Sequence, residues 1–124
     1  MEKVVIRCGG IRVEAGLTEG PTARKVASLL PIEGRARRWG DEIYFTVPID
    51  AGLEPGATSD VEAGDIAYWP DGPALCIFFG PTPSSTGEKP RAYSPVTVIG
   101  RAQGDPTVFR TVRDGDTITI ERGE

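Results

Sequence analysis

The chain has 124 residues, 39% of them hydrophobic and 26% charged, a balance that excludes a disordered polymer and suits one core rather than two. A formal net charge of -4 argues against nucleic acid as a partner, because that affinity is drawn from clustered Lys and Arg. The complete absence of histidine removes Ser-His-Asp and Cys-His nucleophile activation and every His-containing zinc site.

The 16 glycines and 11 prolines interrupt helices and suit a turn-rich β chain. From Lys3 to Cys8, residues Val4, Ile6 and Cys8 share one face and Lys3 and Arg7 the other, the period of a half-buried strand. Gly9-Gly10 then predicts a tight turn into a return strand carrying Ile11, Val13 and Ala15. Pro21 opens a short amphipathic helix through Ala23, Val26, Ala27, Leu29 and Leu30, stopped at Pro31. Arg35, Arg37 and Arg38 read as a solvated basic loop before a strand from Glu42 to Ile49. Asp50 to Gly64 is a long loop with a short strand near Thr58 to Val61. Asp65 to Trp69 and Ala74 to Phe79 are adjacent antiparallel strands joined by Pro70-Asp71-Gly72-Pro73. A Pro-rich loop from Gly80 to Pro95 precedes a strand from Val96 to Arg101, a short helix opened by Asp105-Pro106 and reaching about Val112, and a last strand from Asp116 to Glu121.

That order resembles the cyclophilin barrel, and particular residues carry the resemblance. Pro21-Thr22-Ala23 with Val26 and Leu29-Leu30 is similar to the first helix of that fold, Ala74 to Phe79 to its Phe-Phe strand, and Val96 to Arg101 with Gly104 to its late Val-Phe-Gly-Lys segment. Trp39 to Phe45, Gly64 to Pro70 and Gly72 to Pro83 resemble a small prokaryotic cyclophilin-like family of unassigned function. The resemblance implies a single domain over residues 1–124, mainly β, a cyclophilin-like closed β-barrel with one or two short helices. Active cyclophilins carry an Arg in a Phe-His-Arg-like strand segment, whereas Tyr44-Phe45-Thr46-Val47 stands here. A prolyl bond rotates over a barrier of roughly 18–20 kcal/mol, so groups that favour the twisted state are needed, and no catalytic residue is assigned.

The strongest candidate site is aromatic. Trp39, Tyr44, Tyr68, Trp69 and Phe78 would form a ligand-binding surface at a barrel mouth, for a peptide segment or small molecule. Tyr68 and Trp69 must point to opposite faces, as must Phe78 and Phe79, so half the aromatic set belongs to the core. The leading reading is a binding module without efficient isomerase activity. The alternative is a divergent peptidyl-prolyl isomerase using Arg91 or Arg101. No metal and no cofactor is expected, although flavin-binding relatives of the fold keep a planar cofactor as a third reading, and a structural subunit is a fourth, with oligomeric state open. Asp41, Glu42, Asp65 and Asp71 lie nearest the aromatics and, if brought together, could do acid-base work or hold a hard cation, but none has a metal-loop spacing and they serve equally well as turn and strand-start residues; Thr82, Ser84 and Ser85 lack the glycine cradle of a phosphate loop. Cys8 and Cys76 read as free buried thiols. No stretch approaches the roughly 20 apolar residues of a membrane span, and the start MEKVVIRCGG lacks a secretory apolar region, so a cytoplasmic location is expected.

Overall fold

The structure, a computed structural model, describes residues 2–123. β1 (Glu2–Cys8) and β2 (Ile11–Leu17) form the expected hairpin, with Cys8 opposite Ile11 across the two glycines. Gly9 sits at φ +58°, a conformation that L side chains avoid and that gives the turn the twist its strands need. α1 (Pro21–Ser28) begins on the expected proline and ends two residues before Leu30. Gly20, its N-cap, brings no capping side chain, and Glu54 supplies one from the long loop, accepting from the Thr22 N–H at 2.9 Å.

The basic stretch is sheet rather than loop. β3 (Ile32–Arg35) pairs with the last strand, and β4 (Arg37–Arg38) pairs with β5 (Glu42–Thr46). Then come β6 (Thr58–Asp60), β7 (Asp65–Trp69), β8 (Ala74–Phe78), β9 (Arg91–Ala102), a 3-10 helix (Pro106–Thr111) and β10 (Thr117–Arg122). The main path of this mainly β sheet runs β3-β10-β1-β2-β9-β7-β8-β5-β4, with β6 added on β9.

The mainly β fold is as expected from the sequence, while among the described residues hydrogen bonds do not close the sheet into a ring. β3 and β4 are its two ends, joined through Ala36 by the chain rather than by a ladder. The reason lies at that residue. Ala36 donates to the Asp116 carbonyl at 2.8 Å and accepts from Gly115 at 2.8 Å, which ties the corner to the turn before β10.

The main core fills the inner face with Ile6, Phe45, Tyr68, Leu75, Ile77, Ile118 and Ile120, among others, and Phe109 of the 3-10 helix packs on Phe79 at 6.0 Å between ring centres. A second apolar cluster, Val61, Ala67, Cys76, Phe78, Ala92 and Val96, lies on the opposite face of β7 and β8. These strands are therefore buried on both sides, which explains why they read as continuous apolar runs. β9 begins at Arg91, inside the stretch expected as loop. Its first half pairs only with β6, an edge setting that tolerates Pro95 and its missing N–H. Among the described residues no helix is long and apolar enough to cross a membrane.

Candidate functional site

Strand alternation builds the site. On β5, Ile43 and Phe45 enter the main core, so Glu42 and Tyr44 face the other way. On β8 the partner of Tyr44 is Cys76, and on β7 Trp69 projects to the same side while Tyr68 turns inward. Together with Trp39, Ala92, Tyr93 and Val96 these residues line a cavity of about 180 Å³. It lies on the outer face of β5, β8 and β7, under the first half of β9, and not at a barrel mouth.

Four aromatic rings form its walls. Tyr93 stands between the two tryptophans, 6.0 Å from Trp39 and 6.2 Å from Trp69, each pair at 79°. Tyr44 meets Trp69 at 6.5 Å and 80°. These distances and angles are those of favourable edge-to-face pairs. The indole N–H of Trp69 donates to Ser94 Oγ at 2.7 Å, which fixes that ring against β9.

Trp39 and Glu42 are held by the tight turn between β4 and β5. Trp39 N–H donates to the Glu42 carbonyl at 3.0 Å and Glu42 N–H to the Trp39 carbonyl at 3.2 Å, with Gly40 at φ +59° between them. The turn is clamped from outside: Asp41 N–H donates to the Pro81 carbonyl and Phe79 N–H to the Asp41 carbonyl, both at 2.9 Å. Arg38 adds a bond to the Val112 carbonyl at 2.8 Å and lies over the Phe79 ring at 5.0 Å.

Glu42 is the polar centre of the cavity. It is 6% exposed, and burial pushes its carboxyl up to about 7, against a hydrogen bond from the Cys76 thiol that lowers it. Burial, together with the Glu42 charge, holds the Cys76 thiol well above its ordinary range, so it is a hydrogen-bond donor rather than a nucleophile. No Lys or Arg is among the residues lining the cavity.

A family model described as cyclophilin-like matches residues 2–121. The chain belongs to the cyclophilin-like family. It is similar to the solution structure of the hypothetical protein AF2241 from Archaeoglobus fulgidus, at 41% identity and a TM-score of 0.82, over 98% of this chain and 95% of that one. It is also similar in fold to McbB, solved in complex with tryptophan, at 15% identity and a TM-score of 0.74, over 98% of this chain and 45% of McbB. No curated protein matches the chain.

In this cyclophilin-like chain, three of the five residues expected at the site, Trp39, Tyr44 and Trp69, line the cavity. Tyr68 does not: it is in the main core, where its hydroxyl donates to the Ile49 carbonyl at 2.6 Å and accepts from Ala51 N–H at 3.1 Å. Phe78 does not either, being fully buried in the cluster beneath the cavity. Sequence reasoning misses Tyr93, which lies in a stretch expected as loop, and weighs Glu42 with the other carboxylates near the aromatics rather than as a member of the ligand-binding set. A strand-period reading of Ala92 and Ser94 around Tyr93 was the available signal, and Pro95 masked it.

The other candidates are occupied elsewhere. Arg91 pairs with Asp60, and Arg101 with Asp65 at 2.9 Å; neither lines the aromatic cavity. Thr82 and Ser85 are spent on their own loop, Thr82 N–H donating to Ser85 Oγ at 2.9 Å and Ser85 Oγ to the Lys89 carbonyl at 2.7 Å. Among the described residues no three His, Cys, Asp or Glu side chains gather as a metal site.

Proposed function

We propose that this protein is a binding module whose outer-face aromatic cavity holds a small ligand, or one side chain of a peptide, without changing it. One observation carries the reading: four aromatic rings on three strands and a turn converge on an outer-face space around a buried carboxyl. A second apolar cluster accounts for the packing of that face, but four large rings gathered above it around an open space need a reason beyond folding. At about 180 Å³ the cavity is somewhat larger than the roughly 150 Å³ that holds benzene and smaller than the roughly 300 Å³ at which sites for drug-sized ligands begin. That size favours a single compact group over a fused-ring cofactor such as a flavin. McbB, 45% of which shares this fold, is solved in complex with tryptophan, which is compatible with a small aromatic ligand here.

The isomerase alternative needs a cation at the groove to favour a twisted prolyl amide, and both candidate arginines are engaged away from it. The test is a fragment titration followed by the indole N–H signals of Trp39 and Trp69. Saturable shifts confined to these signals and their neighbours support the reading, and a diverse single-ring and ammonium fragment set that moves neither indole removes it.

A further inference from the structure

The cavity also specifies the chemistry of its occupant, an inference that rests on the ligand-binding reading above. Parallel aromatic walls make a slot for a flat molecule. Here the walls meet at 79°, 79° and 80°, which makes a box suited to a compact group that touches several rings at once. Trp and Tyr faces carry the negative side of the ring quadrupole and attract cations within about 6 Å. The one acid in the box is Glu42, 6% exposed, with a neutral thiol as its polar neighbour and no basic side chain lining the space. A buried carboxylate without a cation is unfavourable, and aromatic rings around it are compatible with a cation supplied from outside.

We propose that the cavity is a cage for an alkylated ammonium head group, with Trp39, Trp69 and Tyr93 as its walls and Glu42 as its counter-ion. A trimethylammonium group is compact enough for a space of about 180 Å³. Tyr93, with 73% of its surface exposed, is the rim that an arriving cation covers.

Binding is coupled to a proton. The titratable groups that line the cavity with Glu42 are the Cys76 thiol on β8, which burial holds protonated, and the phenols of Tyr44 on β5 and Tyr93 on β9. An entering cation favours the carboxylate, so below about pH 7 the Glu42 proton leaves as the ligand binds. Affinity therefore rises up to about tenfold per pH unit below that point and levels above it.

Two sources carry the same head group, a free alkylammonium and a methylated lysine side chain. The experiment titrates the full chain with choline, with a short peptide containing trimethyl-lysine, and with 3,3-dimethylbutan-1-ol, the neutral carbon isostere of choline. Near pH 8 at least one charged probe is expected to shift the Trp39 and Trp69 indole signals and to bind about tenfold more tightly than the isostere; the tighter of the two names the source. E42Q is expected to lose most of that preference and the pH dependence. Tyr93→Leu, at an exposed position, keeps the fold and is expected to weaken binding roughly threefold to thirtyfold. Should E42Q fail to fold, the pH profile of the native chain and the Tyr93→Leu affinity decide. Equal affinity for choline and its isostere, with the peptide no tighter, overturns the cation cage and leaves the small-ligand reading standing. Silence from all three probes also overturns it, whereas the small-ligand reading falls only if the wider fragment set is silent as well.

Discussion

The two faces of β5, β8 and β7 carry neighbouring residues to opposite ends. Phe45, Leu75 and Tyr68 turn inward and are sealed, while Tyr44, Cys76 and Trp69, each one residue away, turn outward to a cavity. The inner face satisfies its only phenol completely, with Tyr68 bonded to the backbone of Ile49 and Ala51. On the outer face the Glu42 carboxyl is kept from water with the Cys76 thiol as its hydrogen-bond donor and no basic side chain lining the space. Inner-face residues are there for stability. The outer face combines a second buried apolar cluster with an open aromatic space, and the difference between the two can be broken by substitution.

The largest effect belongs to the inner face. Phe45 is 1% exposed and in the main core, so Phe45→Ala is expected to lower stability by about 3–5 kcal/mol in denaturant unfolding. Next comes Glu42, whose effect has a sign that depends on pH. Its carboxyl rises from an ordinary 4.5 to about 7 in the folded state, so below 4.5 it is protonated in both states and has no influence. Between the two values the unfolded chain ionises while the folded chain keeps its proton, and stability falls as pH rises. Above about 7 the penalty is constant at up to about 3 kcal/mol. Glu42→Gln removes this slope. Unfolding curves at pH 4 and pH 8 are expected to show the variant gaining on the native chain by up to that amount, and parallel pH dependence in the two proteins contradicts it.

Much of the inner face was legible in the sequence, because period-2 alternation assigns Val4, Ile6, Phe45, Ile118 and Ile120 to one side without tertiary information. The hairpin at Gly9-Gly10, the helix opened by Pro21 and the antiparallel pair around Pro70 to Pro73 were legible for the same local reasons. The family was readable too, from motif segments running from Trp39 to Pro83. The open ring was not, since the role of Ala36 as a covalent corner depends on hydrogen bonds to residues 115 and 116. The outer site was half legible. Alternation separated Trp69 from Tyr68, yet it could not say that β9 folds back over that face and brings Tyr93 with it. Charged and proline residues at Arg91 and Pro95 made the first half of β9 resemble a loop, and its pairing with three-residue β6 is a purely tertiary fact. Glu42 looked like a strand start because much of the cavity it lines comes from Trp69, Cys76 and Tyr93, on strands far from it in sequence.

A smaller effect separates the two hydroxyl-bearing aromatics. Tyr68→Phe leaves the Ala51 N–H and the Ile49 carbonyl without their partner in a buried place, and is expected to cost about 1–3 kcal/mol by thermal or denaturant unfolding. It leaves the cavity walls untouched, so ligand-induced shifts of the indole signals are expected to persist in the folded variant. Loss of those shifts with stability intact would mean that the inner face contributes directly to the site.

The smallest expected change in stability is the most informative. Tyr93 is 73% exposed, on the half of β9 that pairs with β6, and it is not a member of the main core. Its two edge-to-face contacts, to Trp39 and Trp69, are made across the mouth of the cavity rather than within a packed interior. An exposed edge-to-face pair is worth about 0.5 kcal/mol at the low end, so Tyr93→Leu, which keeps an apolar side chain and gives up two of them, is expected to cost about 1 kcal/mol. If a residue with so little to do for the fold nevertheless sets the affinity for an ammonium head, then folding and recognition divide along the two faces of one sheet. A stability loss of several kcal/mol in Tyr93→Leu would instead make the aromatic wall a structural clasp for β9, and the cavity beneath it a by-product of that clasp.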